Sequence, residues 1–113
     1  MTPAATAPNA GAERLRRLRS RLAEEGVDAI LISDGENRRY LSGFVGTAGY
    51  LLITKDAAVL ATDSRYTEQA GRQAPGYRVD RITGRLDWLP GLAAEFGLEQ
   101  LAFEADDITV HTL

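Results

Sequence analysis

The 113-residue sequence contains no cysteine and only one histidine, one tryptophan and one methionine. Without cysteine there is no disulfide, no thiolate nucleophile and no cysteine-based zinc site, and the composition fits a reducing compartment, so the cytoplasm is the expected location. With His111 as the lone histidine, a metal site would have to rest on scattered carboxylates that nothing in the sequence gathers. Apolar runs such as Ala29 to Ile32 fall far short of the ~20 residues that cross a bilayer, so no membrane partner is expected. Residues Met1 to Gly11 lack both the basic start and the apolar centre of a signal peptide, and read as a disordered leader before one domain over 12–113.

What is present is an ordinary globular composition, 44% apolar and 26% charged, with a net charge of -3. Arg14, Arg16, Arg17, Arg19 and Arg21 could be taken for a nucleic-acid patch. Leu15, Leu18 and Leu22, however, lie at helical spacing on one face, and Glu13 precedes Arg17 by one turn. The arginines therefore read as the solvated side of a helix, and no nucleic acid is expected as a partner.

That helix is expected from Ala12 to Glu25, ended by Gly26. The apolar run Asp28 to Ser33 predicts a strand covered on both faces. Ser33 or Asp34 is positioned to cap a short helix through Leu41, with Glu36 in capping-box spacing to Ser33, and Gly43 stops it. Tyr50 to Thr54 and Ala57 to Thr62, split by Lys55 and Asp56, predict an antiparallel hairpin. Asp63 or Ser64 would cap a helix that ends near Pro75-Gly76, and Tyr77 to Ile82 would form another strand. Pro90 fits only the first turn of a helix beginning near Trp88 and ended by Gly97, after which Gln100 to Glu104 supplies a fifth strand. This order predicts an α/β domain of three layers, with a mixed sheet between helices. Thr109 is a natural helix cap only four residues before Leu113, so the polypeptide is expected to continue.

Candidate chemistry concentrates in two blocks. The first, Asn37 to Gly46, reads N-R-R-Y-L-S-G-F-V-G, and the second, Thr62 to Ala70, begins T-D-S-R-Y. Ser42 misses the G-x-S-x-G pattern and reads as a capping hydroxyl. Gly43, Gly46 and Gly49 are followed by no Lys-Ser or Lys-Thr pair and serve backbone geometry instead of phosphate binding. Adjacent Asp106 and Asp107 point apart and read as a polar turn. Arg65 and Tyr66 are the pair suited to gripping a carboxylate, unless Arg65 simply pairs with Asp63. Trp88 reads as a helix-packing residue.

With those blocks the sequence resembles the N-terminal domain of the creatinase, prolidase and aminopeptidase P family (M24-type metallopeptidases), over about residues 12 to 113. Asn37-x-x-Tyr40-Leu41-Ser42-Gly43-Phe44 is similar to that family's N-x-x-Y-L-[ST]-G-F segment, and Thr62-Asp63-Ser64-Arg65-Tyr66 with Gln69-Ala70 to the T-D-x-R-Y-x-x-Q-A block of bacterial Xaa-Pro peptidases. The resemblance implies a three-layer α/β/α fold of ribonuclease-H-like topology, with five or six strands in a mixed sheet and no metal. It places catalysis in a following domain, absent here, where two aspartates, one histidine and two glutamates hold two divalent ions (Mn, Co or Zn).

The resemblance further implies that this domain is non-catalytic, helps build a homodimer, contacts the catalytic domain of its own polypeptide and caps the neighbouring active site over a peptide substrate with proline second. Tyr40, Phe44, Val45, Gly46, Thr47, Ala48, Arg65 and Tyr66 are then the candidates for the substrate cap or interface. Creatinase places an arginine near the loop position where this chain has Thr47 and Ala48, which favours a peptidase. A second reading is a peptidase-like interaction module without catalysis. A third, a small free-standing enzyme using Asp63, Arg65 and Glu104, lacks a nucleophile, base and orienting group that converge.

Overall fold

The computed structural model describes residues 6–83 and 86–104. Along the chain run α1 (Thr6–Glu25), β1 (Ala29–Ile32), α2 (Gly35–Ser42), β2 (Tyr50–Thr54), β3 (Ala58–Thr62), α3 (Thr67–Gln73), β4 (Arg78–Arg81), a 3-10 turn (Leu86–Trp88), α4 (Leu89–Glu95) and β5 (Leu101–Phe103). This is the predicted order. The five strands lie as β4-β3-β2-β1-β5. The central β1-β2-β3 meander is antiparallel, and β4 and β5 join its two sides in parallel, which makes the sheet mixed.

Strand periodicity divides the core into two layers. Ile30, Ile32, Leu51, Ile53 and Leu60 bury against Leu18 and Leu22 of α1, Leu41 of α2 and Ala70 of α3. The alternate residues Ala29, Leu31, Leu52 and Val59 meet Leu92 of α4, with Trp88, Leu89 and Phe96 closing over them. Every residue of β1 is buried because helices cover both of its faces, as its uninterrupted apolar run requires.

Several boundaries differ from expectation. Helix α1 begins at Thr6, not Ala12. Pro8 lies in its first turn, where no backbone donor is needed, so the proline does not prevent helix from extending into the segment read as leader. The cap of α2 is Asp34, whose side chain accepts the Asn37 amide at 3.0 Å, and Glu36 closes no box with Ser33. Neither Asp63 nor Ser64 caps α3. Instead the Tyr66 amide donates to the Asp63 carbonyl and the Arg65 amide to Asp63 Oδ1, forming a separate turn ahead of Thr67. Asp106, Asp107, Thr109 and His111 lie outside the described residues.

The arginine-rich side of α1 is only partly solvated. Arg19 donates to the carbonyls of Thr54 and Ala57 at 2.8 and 2.9 Å, tying the helix to the β2-β3 turn. Arg14 donates to the Tyr40 carbonyl and lies 4.2 Å from the centre of its ring. Glu13 pairs with Arg16 and not with the expected Arg17.

Candidate functional site

The first motif folds into α2 and the loop that follows it. Gly43 stops the helix with φ of 85°, a left-handed conformation that a side chain would strain, and returns its amide to the Arg39 carbonyl. Ser42 acts as the expected hydroxyl anchor. Its Oγ donates to the Arg38 carbonyl at 2.6 Å and accepts the Phe44 amide at 3.1 Å.

Phe44 is completely buried, edge-on to Tyr66 at 5.9 Å between ring centres. Gly46 folds over that ring so closely that a Cβ would stand 2.2 Å from Phe44 Cζ. Phe44 and Gly46 therefore support the loop from within and offer no contact surface of their own. Val45, between them, points outward and is 52% exposed, while its amide is held by Gln73 Oε1 at 3.0 Å. Thr47 Oγ1 and the Tyr66 hydroxyl share a 2.7 Å hydrogen bond, and the Ala48 carbonyl accepts from Thr62 Oγ1 at 2.6 Å. The second motif is thus the buttress of the first. Tyr40 is turned toward α1 beneath Arg14.

Arg65 takes the local option. Its guanidinium reaches both oxygens of Asp63, at 2.8 and 3.2 Å, and lies 5.1 Å from the Tyr66 ring centre. The Arg65 hydrogen bonds hold the Asp63 carboxyl below its ordinary range, and Asp63 in turn raises the guanidinium. The fork is already occupied, so the expected grip on a substrate carboxylate would require breaking this pair.

The strongest polar feature of the loop is one residue that sequence reading passed over. Arg38 is 5% exposed. Its Nη2 donates to the Gly46 carbonyl at 2.9 Å, and its Nη1 to Gly49 at 2.9 Å and Ser33 at 3.2 Å. Its Nε is buried without a partner among the described residues. Desolvation lowers its affinity for the proton, and the charges of Asp34 and Glu104 act in the opposite direction. A cavity of about 260 Å³ opens beside it, lined by Ser33, Thr47, Gly49, Thr62 and Asp63 among others. Among the described residues no three His, Cys, Asp or Glu side chains gather into a metal-binding group, so these residues do not fit the pair of ions assigned above to another domain.

Residues 14–113 match the Creatinase/Prolidase N-terminal domain. The chain belongs to that family. The sheet and helices of this creatinase/prolidase N-terminal domain superimpose on an Xaa-Pro dipeptidase from Bacillus anthracis with a TM-score of 0.80 and 41% identity, covering 90% of this chain and 29% of that one. The N-terminal domain of the cytoplasmic peptidase PepQ from Mycobacterium tuberculosis H37Rv gives 0.78 and 45%, covering 88% and 78%. In sequence, the uncharacterized peptidase YqhT of Bacillus subtilis is 38% identical over 100 residues, covering 88% of this chain and 28% of YqhT. The chain thus spans less than a third of YqhT and of the Bacillus anthracis enzyme. Among the described residues no helix is long and apolar enough to cross a membrane.

Within the creatinase/prolidase domain, Asn37, Arg38 and Glu104 are the polar residues that sequence reasoning missed as a group. Asn37 is also buried, and its Nδ2 donates to Glu104 Oε2 at 2.5 Å. One signal was available: Asn37 and Arg38 share the inward side of α2 with Leu41, where a polar side chain must find buried partners.

Proposed function

We propose that this domain is the non-catalytic N-terminal part of a dinuclear-metal Xaa-Pro aminopeptidase or dipeptidase, and that its Gly43-to-Gly49 loop contributes dimer contacts and caps the active site of the neighbouring subunit. One observation carries this reading: Val45 is an exposed apolar side chain at the apex of a loop whose flanking residues are all bonded to the domain interior. A fixed apolar point of this kind loses little entropy when a partner covers it. Val45 and Thr47 are the surface contacts, Tyr66 and Arg65 stand behind them, and Phe44, Gly46 and Ala48 set their position. The names of the Bacillus anthracis and Mycobacterium tuberculosis relatives supply the peptidase class. The two divalent ions and the attack on the peptide belong, in this reading, to the catalytic domain of the same polypeptide in the cytoplasm.

The test uses the polypeptide that carries both domains. Val45→Asp is expected to weaken dimerisation in sedimentation equilibrium, or to raise KM for an Xaa-Pro peptide roughly fivefold or more with kcat within about twofold. An unchanged dimer together with unchanged kinetics would refute the assignment. The 113-residue chain alone is expected to release no N-terminal residue from such a peptide, with or without added manganese or cobalt.

A further inference from the structure

The loop is tied to a distant part of the chain by way of the Ser33-Asp34 turn. Glu104 follows β5, and its Oε1 accepts the amides of Ser33 and Asp34 at 2.6 and 2.7 Å and the Ser33 hydroxyl at 3.3 Å. Its Oε2 takes the Asn37 side chain. The same Ser33 presents its carbonyl to Arg38 Nη1, and that guanidinium carries the carbonyls of Gly46 and Gly49. Ser33 is therefore gripped by a carboxylate on its amide and by a guanidinium on its carbonyl. Arg38 forms no ion pair among the described residues. Its charge, taken out of water, depends on carbonyl dipoles and on the nearby charges of Asp34 and Glu104.

From this geometry we infer that Glu104 and Arg38 are coupled positioning residues: the carboxylate after β5 fixes the Ser33-Asp34 turn, and the turn fixes the guanidinium that holds the Val45-to-Ala48 loop in place. That the loop is a working surface rests on the function proposed above; the coupling itself does not. Two consequences separate a relay from two independent anchors. Loosening at Glu104 must appear at Gly46 and Gly49, which Glu104 does not touch. The effect of removing both residues must also be less than the sum of the single effects, because the second loss acts on a loop already released.

The experiment reads loop order in the 113-residue chain with no substrate or partner present, so failure of the capping role cannot imitate failure of the relay. Backbone ¹⁵N order parameters at Gly46 and Gly49 are expected near the rigid value of about 0.85 in the native chain and below about 0.6 in Arg38→Lys and Glu104→Ala. Glu104→Gln, which keeps an oxygen for the two amides, is expected to restore most of the order. The Thr54-to-Ala57 turn, held by Arg19, is the internal control and should not change. The inference is overturned if folded Glu104→Ala keeps the loop as rigid as the native chain, or if the double variant shows the full sum of the single losses. Should Glu104→Ala fail to fold, Glu104→Asp, whose carboxylate is one methylene short of the Ser33 and Asp34 amides, takes its place, and a loop as rigid as the native one in that folded variant overturns the inference equally.

Discussion

Arg38 Nη2 lies 2.9 Å from the carbonyl oxygen of Gly46, eight residues ahead, so the motif's second residue holds the glycine that ends it. With Gly49 and Ser33 also bound, three carbonyls depend on one buried guanidinium. Arg38→Met should lower stability by about 2–4 kcal/mol in urea unfolding, since each orphaned carbonyl costs about 1–3 and relief of the buried charge offsets part of the total. A loss below about 0.5 kcal/mol would show that water takes over the carbonyls.

Gly46→Ala tests the contact with Phe44. A methyl group built there meets the ring of a fully buried side chain, so the ring or the loop must move. The expected cost is about 1–3 kcal/mol, as in other overpacked cores. Aromatic NMR signals of Phe44 and Tyr66 should shift together, because the two rings are in edge contact.

Arg19 and Arg17 look alike in sequence and should behave differently. Arg19→Ala removes two hydrogen bonds to the β2-β3 turn and should cost about 1–3 kcal/mol, with faster amide exchange at Ala57. Arg17 is exposed, and Arg17→Ala should stay within about 0.5 kcal/mol. Equal effects from the two variants would contradict the anchoring role of Arg19.

Acid should weaken the fold through three carboxylates, two of them exposed and Asp63 half-buried. Asp28 is held below its ordinary value by the amides of Glu99 and Gln100, Asp63 by Arg65, and Glu95 by Arg78. A lowered folded-state pKa means that the unfolded chain takes up the proton first as pH falls. The contribution is therefore complete above the unfolded value of about 4 and disappears as pH drops through the folded value. Melting temperature should be level above about pH 5 and decline toward pH 2, and Asp28→Asn should make that decline shallower.

The order of elements was legible because each depends on neighbours in sequence: the apolar runs of β1 to β3, Gly26, Gly43 and Gly97 as helix ends, and Pro90 in a first turn. The Asp63-Arg65 pair was also within reach, being two residues apart. The clamp on the loop was not. Glu104 meets Ser33 across 71 positions, and only the parallel pairing of β5 with β1 brings them together. Arg19 was hidden in another way, since helical spacing places a side chain on the solvent side of α1 but cannot show that a hairpin folds back under it. The start of α1 was missed because the small, uncharged residues before Ala12 carry no apolar periodicity to mark a helix, and Pro8 falls in a first turn, where helices tolerate it.

Strand β4 forms one border of the sheet, and its charges are fixed there: Arg78 bridges Asp80 on its own strand and Glu95 on α4, with Arg81 exposed at the far end. A foreign extended segment adding to the ladder past β4 would have to desolvate this fixed ionic fringe, so edge-to-edge self-association is opposed on that side. Growth of a fibril through the β4 edge should therefore be disfavoured, and high salt should erode that protection.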